Sequence, residues 1–356
     1  MKERVQGLRH ILEEEDLDAL LVTQAENRRY LTGFTGSAGV VLVTREEVLL
    51  ATDFRYYEQV AKQAPDVELV RVEDSTPSAL APRVDELDFN VVGFESHDMT
   101  VEDYERWQEA LPQVEWVPTL DLVEELRMTK DAQELDSIKE AVRIADEAME
   151  HVMEWIHPGL TEREVAWELE VYMRTHGAEA LSFTTIVASG PNSAMPHATT
   201  TERVIGRGEP IVIDMGARYK GYCSDMTRSF CLGQASEEYL RVWDTVLEAQ
   251  EAAENGIGPG MSGVEADAIA RDLIYEVGYE GKFGHGLGHG VGLAIHEGPR
   301  VSHSSEDTLA EGAVVTVEPG IYIPEWGGVR TEDMVVITDD GCRILTQSPK
   351  EPVIRQ

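Results

Sequence analysis

Carboxylates and one histidine recur in this chain at spacings that suit the holding of cations. The stretch Ile211–Phe230 places Asp214 and Asp225 in strand-like runs on either side of the turn-like Arg218-Tyr219-Lys220-Gly221. A hairpin centred between Tyr219 and Lys220 sets the two aspartates directly opposite, on one sheet face with Cβ atoms roughly 5 Å apart. Carboxylates that close repel one another, so a positive charge is expected between them. Glu318 and Glu332 stand symmetrically about a second turn at Glu325, beside Pro324 and Gly327-Gly328, and the same argument puts them on one face. If the hairpins pack together, four carboxylates meet, at a cost too high unless cations neutralise them. Two divalent ions bring four positive charges, and a histidine completes the set. The glycine-rich stretch Phe283–Gly292 offers His285 and His289.

Such residues need sheets and helices to position them. After Arg127-Met128-Thr129-Lys130, residues Leu135, Ile138, Val142, Ala145, Met149, Val152 and Ile156 alternate spacings of three and four. That stripe marks one long amphipathic helix, ended by Pro158-Gly159 and packed on a sheet; no second segment matches it as a coiled-coil partner. Thr161 with Glu164, and Ser262 with Glu265, are capping-box pairs that predict helices to about His176 and to Val277. A further helix is predicted over about 237–254, and strands around 183–188, 211–228, 313–323 and 329–338. Helix-helix-strands therefore occurs twice, an α+β pattern with an internal pseudo-repeat. The first third alternates predicted strands (19–23, 39–43, 48–51, 67–72, 91–95, 114–117) with helices to about 15 and over 56–63, 78–87 and 101–111, an α/β pattern. It shows no cluster of His, Cys and carboxylates suited to chemistry. Residues 1–125 are thus expected to be a covering or specificity domain, and 126–356 the catalytic domain.

Length and charge agree with this division. At 356 residues the chain exceeds what one core usually organises. Thirty Lys and Arg against 67 Asp and Glu give a formal charge of −37, which argues against nucleic acid or an anionic membrane surface as a partner. The acid is spread along helix faces such as Glu13-Glu14-Glu15-Asp16, as a solvated surface requires. The N-terminus has no apolar core of a signal peptide, and nowhere do eighteen apolar residues run together, so neither secretion nor membrane spanning is expected. Three cysteines, Cys223, Cys231 and Cys342, form an odd and sparse set that fits reduced thiols in the cytoplasm.

The constellation of Asp214, Asp225, His289, Glu318 and Glu332 resembles the pita-bread metallopeptidase family, which includes methionine aminopeptidase, Xaa-Pro aminopeptidase and Xaa-Pro dipeptidase (prolidase). The resemblance covers roughly residues 130–350. The N-terminal third, with Asn27-Arg28-Arg29-Tyr30-Leu31-Thr32-Gly33-Phe34 and Thr52-Asp53-Phe54-Arg55-Tyr56, is similar to the creatinase/prolidase N-terminal domain. The resemblance implies two divalent ions per chain. Asp214 would bind one, His289 and Glu318 the other, with Asp225 and Glu332 bridging. Manganese is the expected ion, with cobalt, zinc and iron as alternatives that affinity order does not separate. The resemblance also implies His197 near the substrate, His296 as a partner of the tetrahedral oxyanion or of proton transfer, and Glu318 as a proton shuttle. Phe183, His285 and Arg330, with Tyr222 and His303, are candidates to shape the substrate site. The implied reaction is hydrolysis of the bond before proline in Xaa-Pro dipeptides, with action on longer peptides as the alternative, by a cytoplasmic homodimer.

Other readings are weaker on the residues themselves. His10, His97 and His151 stand alone and read as surface or structural groups. The glycines at 284, 286, 288, 290 and 292 do not spell G-x-G-x-x-G, and His296-Glu297 lacks a second histidine at 300, so neither a dinucleotide site nor a helical zinc motif is present. Cys223 reads as a packed thiol. Methionine aminopeptidases generally lack a domain like residues 1–125, and creatinase-like or non-catalytic binding members lack the five ligand types present here.

Overall fold

The structure is a computed structural model that describes residues 2–87 and 89–355. Its contacts divide into two compact units, Met1–Arg127 and Met128–Gln356.

The first unit runs α1 (Lys2–Glu14), β1 (Ala19–Val22), α2 (Ala25–Thr32), β2 (Val40–Thr44), β3 (Val48–Asp53), α3 (Tyr57–Gln63), β4 (Glu68–Val72), α4 (Thr76–Leu87), β5 (Val91–Glu95), α5 (Val101–Ala110), β6 (Glu115–Thr119) and α6 (Leu122–Met128), the last ending at the unit boundary. Its six-stranded sheet has the order β4-β3-β2-β1-β5-β6. Only β2 is antiparallel to its neighbours. Near-continuous apolar strands such as Ala19-Leu20-Leu21-Val22, buried at every position, fit a sheet covered on both faces. Two helices lie outside the sequence expectation. α2 is rich in polar residues yet buries Asn27 and Arg28, so no apolar stripe announces it; α6 is only seven residues long.

The second unit repeats one theme. First come α7 (Ala132–Trp155), α8 (Glu162–Thr175), β7 (Ala180–Leu181), β8 (Ile186–Ser189), β9 (Ile211–Met215), β10 (Ala217–Tyr219), β11 (Tyr222–Cys223) and β12 (Met226–Leu232). Then follow α9 (Glu237–Gly256), α10 (Gly263–Glu276), β13 (Gly288–Gly290), β14 (Glu297–Val301), β15 (Val314–Val317), β16 (Gly320–Ile323), β17 (Gly327–Arg330), β18 (Asp333–Ile337), β19 (Cys342–Ile344) and β20 (Val353–Ile354). α7 starts at an Asp131–Glu134 capping box, and the expected boxes Thr161–Glu164 and Ser262–Glu265 begin α8 and α10. Met149, Val152, Leu169 and Met173 pack with Ile213 and Phe230 in one core. Val246, Ala270 and Ile274 pack with Val315 and Val335 in the other. Each helix pair thus covers its own half of the strands. Among the described residues no helix is long and apolar enough to cross a membrane.

One register differs from expectation. Tyr219 pairs with Tyr222 and Asp214 with Thr227, so the first hairpin is centred between Lys220 and Gly221. Both turn residues have positive φ, 46° and 81°, as a two-residue type I′ turn requires. Asp225 is therefore the diagonal neighbour of Asp214, two residues from its partner and on the same face. The second hairpin agrees with the sequence: Gly320 pairs with Arg330 and Val317 with Asp333, which leaves Glu318 level with Glu332.

Candidate metal centre and substrate cavity

Several segments of the second unit line one cavity of about 400 Å³. Asp214 comes from β9, Asp225 from the break between β11 and β12, His289 from β13, and Glu318 and Glu332 from the gap between two strand ladders. Phe183, His197, His285, His296 and Arg330 line the same cavity. Tyr222 lies elsewhere, its hydroxyl donating to Glu134 Oε1 at 2.8 Å, and His303 is exposed, so neither shapes this wall.

The donor atoms of Asp225, His289 and Glu332 all fall within 4.8 Å of one another. His289 Nε2 is 3.6 Å from Asp225 Oδ2 and 3.5 Å from Glu318 Oε1. On the other side of the ring, Nδ1 is 3.0 Å from the Gly290 carbonyl, which can only accept, so the proton belongs on Nδ1 and the Nε2 lone pair faces the carboxylates. Burial lowers the His289 pKa to about 4 and keeps the ring neutral, as a ligand must be. Asp225 and Glu332, 5% and 2% exposed, are pushed well above the usual carboxylate range. For both, burial is the main cause, followed by the surrounding carboxylates. Burial likewise raises Asp214, against the pull of Arg330, and lifts Glu318 to about 7. Asp214 Oδ1 is buried with no hydrogen-bond partner. An orphaned carboxylate oxygen, three more crowded carboxylates and a presented imidazole nitrogen are the donors that divalent cations satisfy.

Further residues fix these groups. Thr227 Oγ1 donates to Glu332 Oε2 at 2.6 Å and accepts from Arg330 Nε at 2.9 Å. Thr316 Oγ1 donates to Glu318 Oε1 at 3.2 Å and accepts from the His289 backbone N–H. Tyr322 OH lies 2.9 Å from both His285 Nε2 and Arg330 Nη1, while Arg330 Nη2 reaches Asp214 Oδ2. Burial opposes the charge of Arg330, but Tyr322, Asp214, Glu318 and Glu332 hold it protonated. None of Thr227, Thr316 and Tyr322 stands out by type. The period of two does find them, since 316, 318, 320 and 322 share a face, as do 225 and 227.

The remaining histidines and cysteines behave otherwise. His151 Nε2 contacts Glu168 at 2.7 Å and its ring stacks on Tyr172. His97, expected to stand alone, instead groups its donor atoms with those of Asp121 and Glu124 within 4.8 Å, a cluster in the first unit that the sequence did not disclose. Glu124 Oε1 there already accepts from Asn27 at 2.6 Å. All three cysteines are free, and burial raises each thiol pKa, which makes them unreactive packed groups.

This electrostatic arrangement sets a pH dependence for the chelator-treated protein. Carboxyls with raised pKa values keep protons that the unfolded chain releases, so they favour folding at low pH and lose that contribution as pH rises through their folded values. His285 and His289, lowered to about 3 and 4 mainly by burial, act oppositely, but only below their ordinary value of 6.5. Above pH 6.5 the carboxyls alone remain, among them Glu318 at about 7 and the buried Glu254 at about 8. The thermal midpoint is therefore expected to fall from pH 6.5 to 8, by about 2–4 °C per kcal/mol lost. Divalent ions, which take the place of the protons, should flatten this fall. Calorimetry with and without chelator checks it, and a midpoint rising over that window contradicts it.

Known proteins share both units. The sequence profile of metallopeptidase family M24 matches residues 136–339, and that of the creatinase/prolidase N-terminal domain matches residues 4–129. An Xaa-Pro dipeptidase of Pyrococcus furiosus is 38% identical, with 99% of both chains covered. The solved Xaa-Pro dipeptidase of Bacillus anthracis superposes with a TM-score of 0.97 at 45% identity, covering 100% of this chain and 99% of that one. An X-Pro aminopeptidase of Thermotoga maritima superposes at 0.90 with 39% identity, covering 96% and 98%.

Proposed function

Because the chain belongs to metallopeptidase family M24, with a creatinase/prolidase N-terminal domain ahead of the catalytic one, we propose that it is a dinuclear metal-dependent Xaa-Pro dipeptidase. The observation that carries the reading is the convergence of Asp225, His289 and Glu332 within 4.8 Å, with Asp214 and Glu318 in the same cavity wall. In this proposal Asp214 would hold one ion and His289 and Glu318 the other, with Asp225 and Glu332 shared between them. The chemistry a bound ion pair supplies is activation of water and polarisation of the scissile carbonyl.

The chain's own residues do the rest. Phe183, Ile186, Pro196 and Ile295 offer apolar surface to the proline ring. His285, kept neutral by burial and tied to Tyr322, and Arg330, fixed to Asp214 and Tyr322, hold the polar side of that pocket. His197 and His296 are proposed to stabilise the oxyanion and assist proton transfer. Glu318 is proposed to pass a proton to the leaving nitrogen, a step every peptide bond needs because an unprotonated amide nitrogen is too basic to leave. Manganese is the proposed ion, with cobalt, zinc or iron as alternatives, and the proposed state is a cytoplasmic homodimer. Action on longer peptides is the second reading, supported by the likeness to an X-Pro aminopeptidase.

Protein stripped with chelator should lose hydrolysis of Ala-Pro and regain it with Mn or Co. No turnover with any of the four ions would sink the enzyme reading.

A further inference from the structure

Glu162 is the first residue of α8, and it is fully buried. The helix does not need its carboxylate, because Thr161 and Glu164 already form the capping box there. A buried carboxylate is costly unless hydrogen bonds fill its oxygens, and here they are filled from outside the helix. Oε1 accepts from the Ser189 N–H and the Ser189 hydroxyl, both at 2.8 Å, and from Asn192 Nδ2 at 3.1 Å. Oε2 accepts from the Thr201 N–H at 3.0 Å, from the Thr201 hydroxyl at 2.6 Å and from Asn192 Nδ2 at 3.3 Å. Ser189 ends β8 and Thr201 lies on the way to β9. One carboxylate thus grips both ends of the loop between them, and through Asn192 the 3₁₀ turn at Gly190–Ala194 inside it.

That loop carries Pro196 and His197, which line the substrate cavity. His197 is exposed, so its place is set by the backbone that bears it. On the cavity side Arg330 Nη1 donates to Pro196 O at 3.1 Å, and the Gly328 N–H donates to Ser193 Oγ at 2.9 Å. At the root Arg203, itself paired with Glu209, donates through Nη1 to Ser189 Oγ at 2.6 Å.

We infer that Glu162 is a positioning residue for His197: by clamping the loop at both ends it sets where the imidazole stands in the cavity, without touching substrate or metal. The inference rests on the role proposed for His197 in Xaa-Pro hydrolysis. The clamp needs two acceptor oxygens, and a glutamine has one. Whichever way its amide turns, an NH2 group meets the backbone N–H of Ser189 or of Thr201, and one end of the loop is released. A displacement of about 1 Å at a reacting group can cost on the order of 10²-fold in rate.

The test is a double-mutant cycle on Ala-Pro with the metal-loaded full chain, joined to hydrogen exchange. His197→Ala should lower kcat about 10²-fold. Glu162→Gln should lower kcat about tenfold with KM within about twofold, and the double variant should fall no further than His197→Ala alone. A residue that serves the fold alone would add its loss in both backgrounds. Amides of residues 189–201 should exchange about tenfold faster in Glu162→Gln, with those of β9 unchanged, a readout that requires no turnover. Asn192→Ala, a change at a half-buried side chain, should show the same pattern with a loss of about threefold, and it decides the question if Glu162→Gln does not fold. Equal losses with and without His197, no loss in His197→Ala, or unchanged loop exchange overturns the inference. Failure of the wild type to cleave Ala-Pro with any of the four ions removes the Xaa-Pro reading and this role with it, a pattern set apart because it precedes any substitution.

Discussion

Asp225→Asn is expected to abolish turnover and metal binding together. kcat/KM should fall by ~10⁴-fold or more, and bound metal from two ions per chain to one or none. Asp225 is 5% exposed, and burial, then Glu332, Asp214 and Glu318, drive its proton affinity up. Only a strong positive charge makes its ionised form acceptable there. An amide presents one weaker oxygen where two ions need two, and its NH2 group cannot face a cation. The same change removes a carboxyl that must take up a proton to be buried without metal, so the chelator-treated variant should melt above chelator-treated wild type, which separates metal loss from misfolding. Metal analysis, turnover and calorimetry check the three parts. Retention of both ions and activity would show that Asp225 does not bridge.

His296→Ala should separate the two properties that Asp225→Asn removes at once. Turnover is expected to fall ~10²–10³-fold in kcat while both ions remain bound. The His296 ring meets that of His289 edge to face at 4.4 Å between centroids, and burial, then the neighbouring His197, lowers its pKa. A neutral imidazole is thereby available near neutral pH to donate an N–H to a developing oxyanion. His296→Gln, which keeps a donor, should recover part of the loss. Departure of metal from His296→Ala would make His296 a support of His289 instead.

The clustering of the five candidate residues was legible in the sequence because they lie in strands or within two residues of a strand end, where the period still fixes their faces. Counting about Glu325 gave the level of Glu318 and Glu332 correctly, since that hairpin has an odd loop with one central residue. The same counting failed at Asp214 and Asp225 because Lys220 adopts φ of 46°, a conformation that lysine rarely supplies, and this moved the turn one residue. The diagonal neighbour shares the face, so the electrostatic conclusion survived a wrong register. Long amphipathic helices and capping boxes were readable for the same reason as the strands: local pattern and local geometry agreed. α2 was not, because it buries Asn27 against Glu95 and Arg28 against backbone carbonyls, where hydrogen bonds replace apolar contacts. The His97–Asp121–Glu124 cluster joins segments more than twenty residues apart, and no local period reports on such contacts.

The gap between the two ladders at Glu318 and Glu332 bears on how the protein is assembled. Glu318 N–H bonds to Leu287 O at 2.8 Å and Glu332 N–H to Thr227 O at 3.1 Å, so each glutamate is stitched to a strand from a different part of the chain. The donor set spans positions 214 to 332 and comes together only when both halves of the pseudo-repeat have closed. Contacts of that sequence separation require long loops to close before they form. A partly folded chain in which the two halves have not met therefore presents no complete donor set.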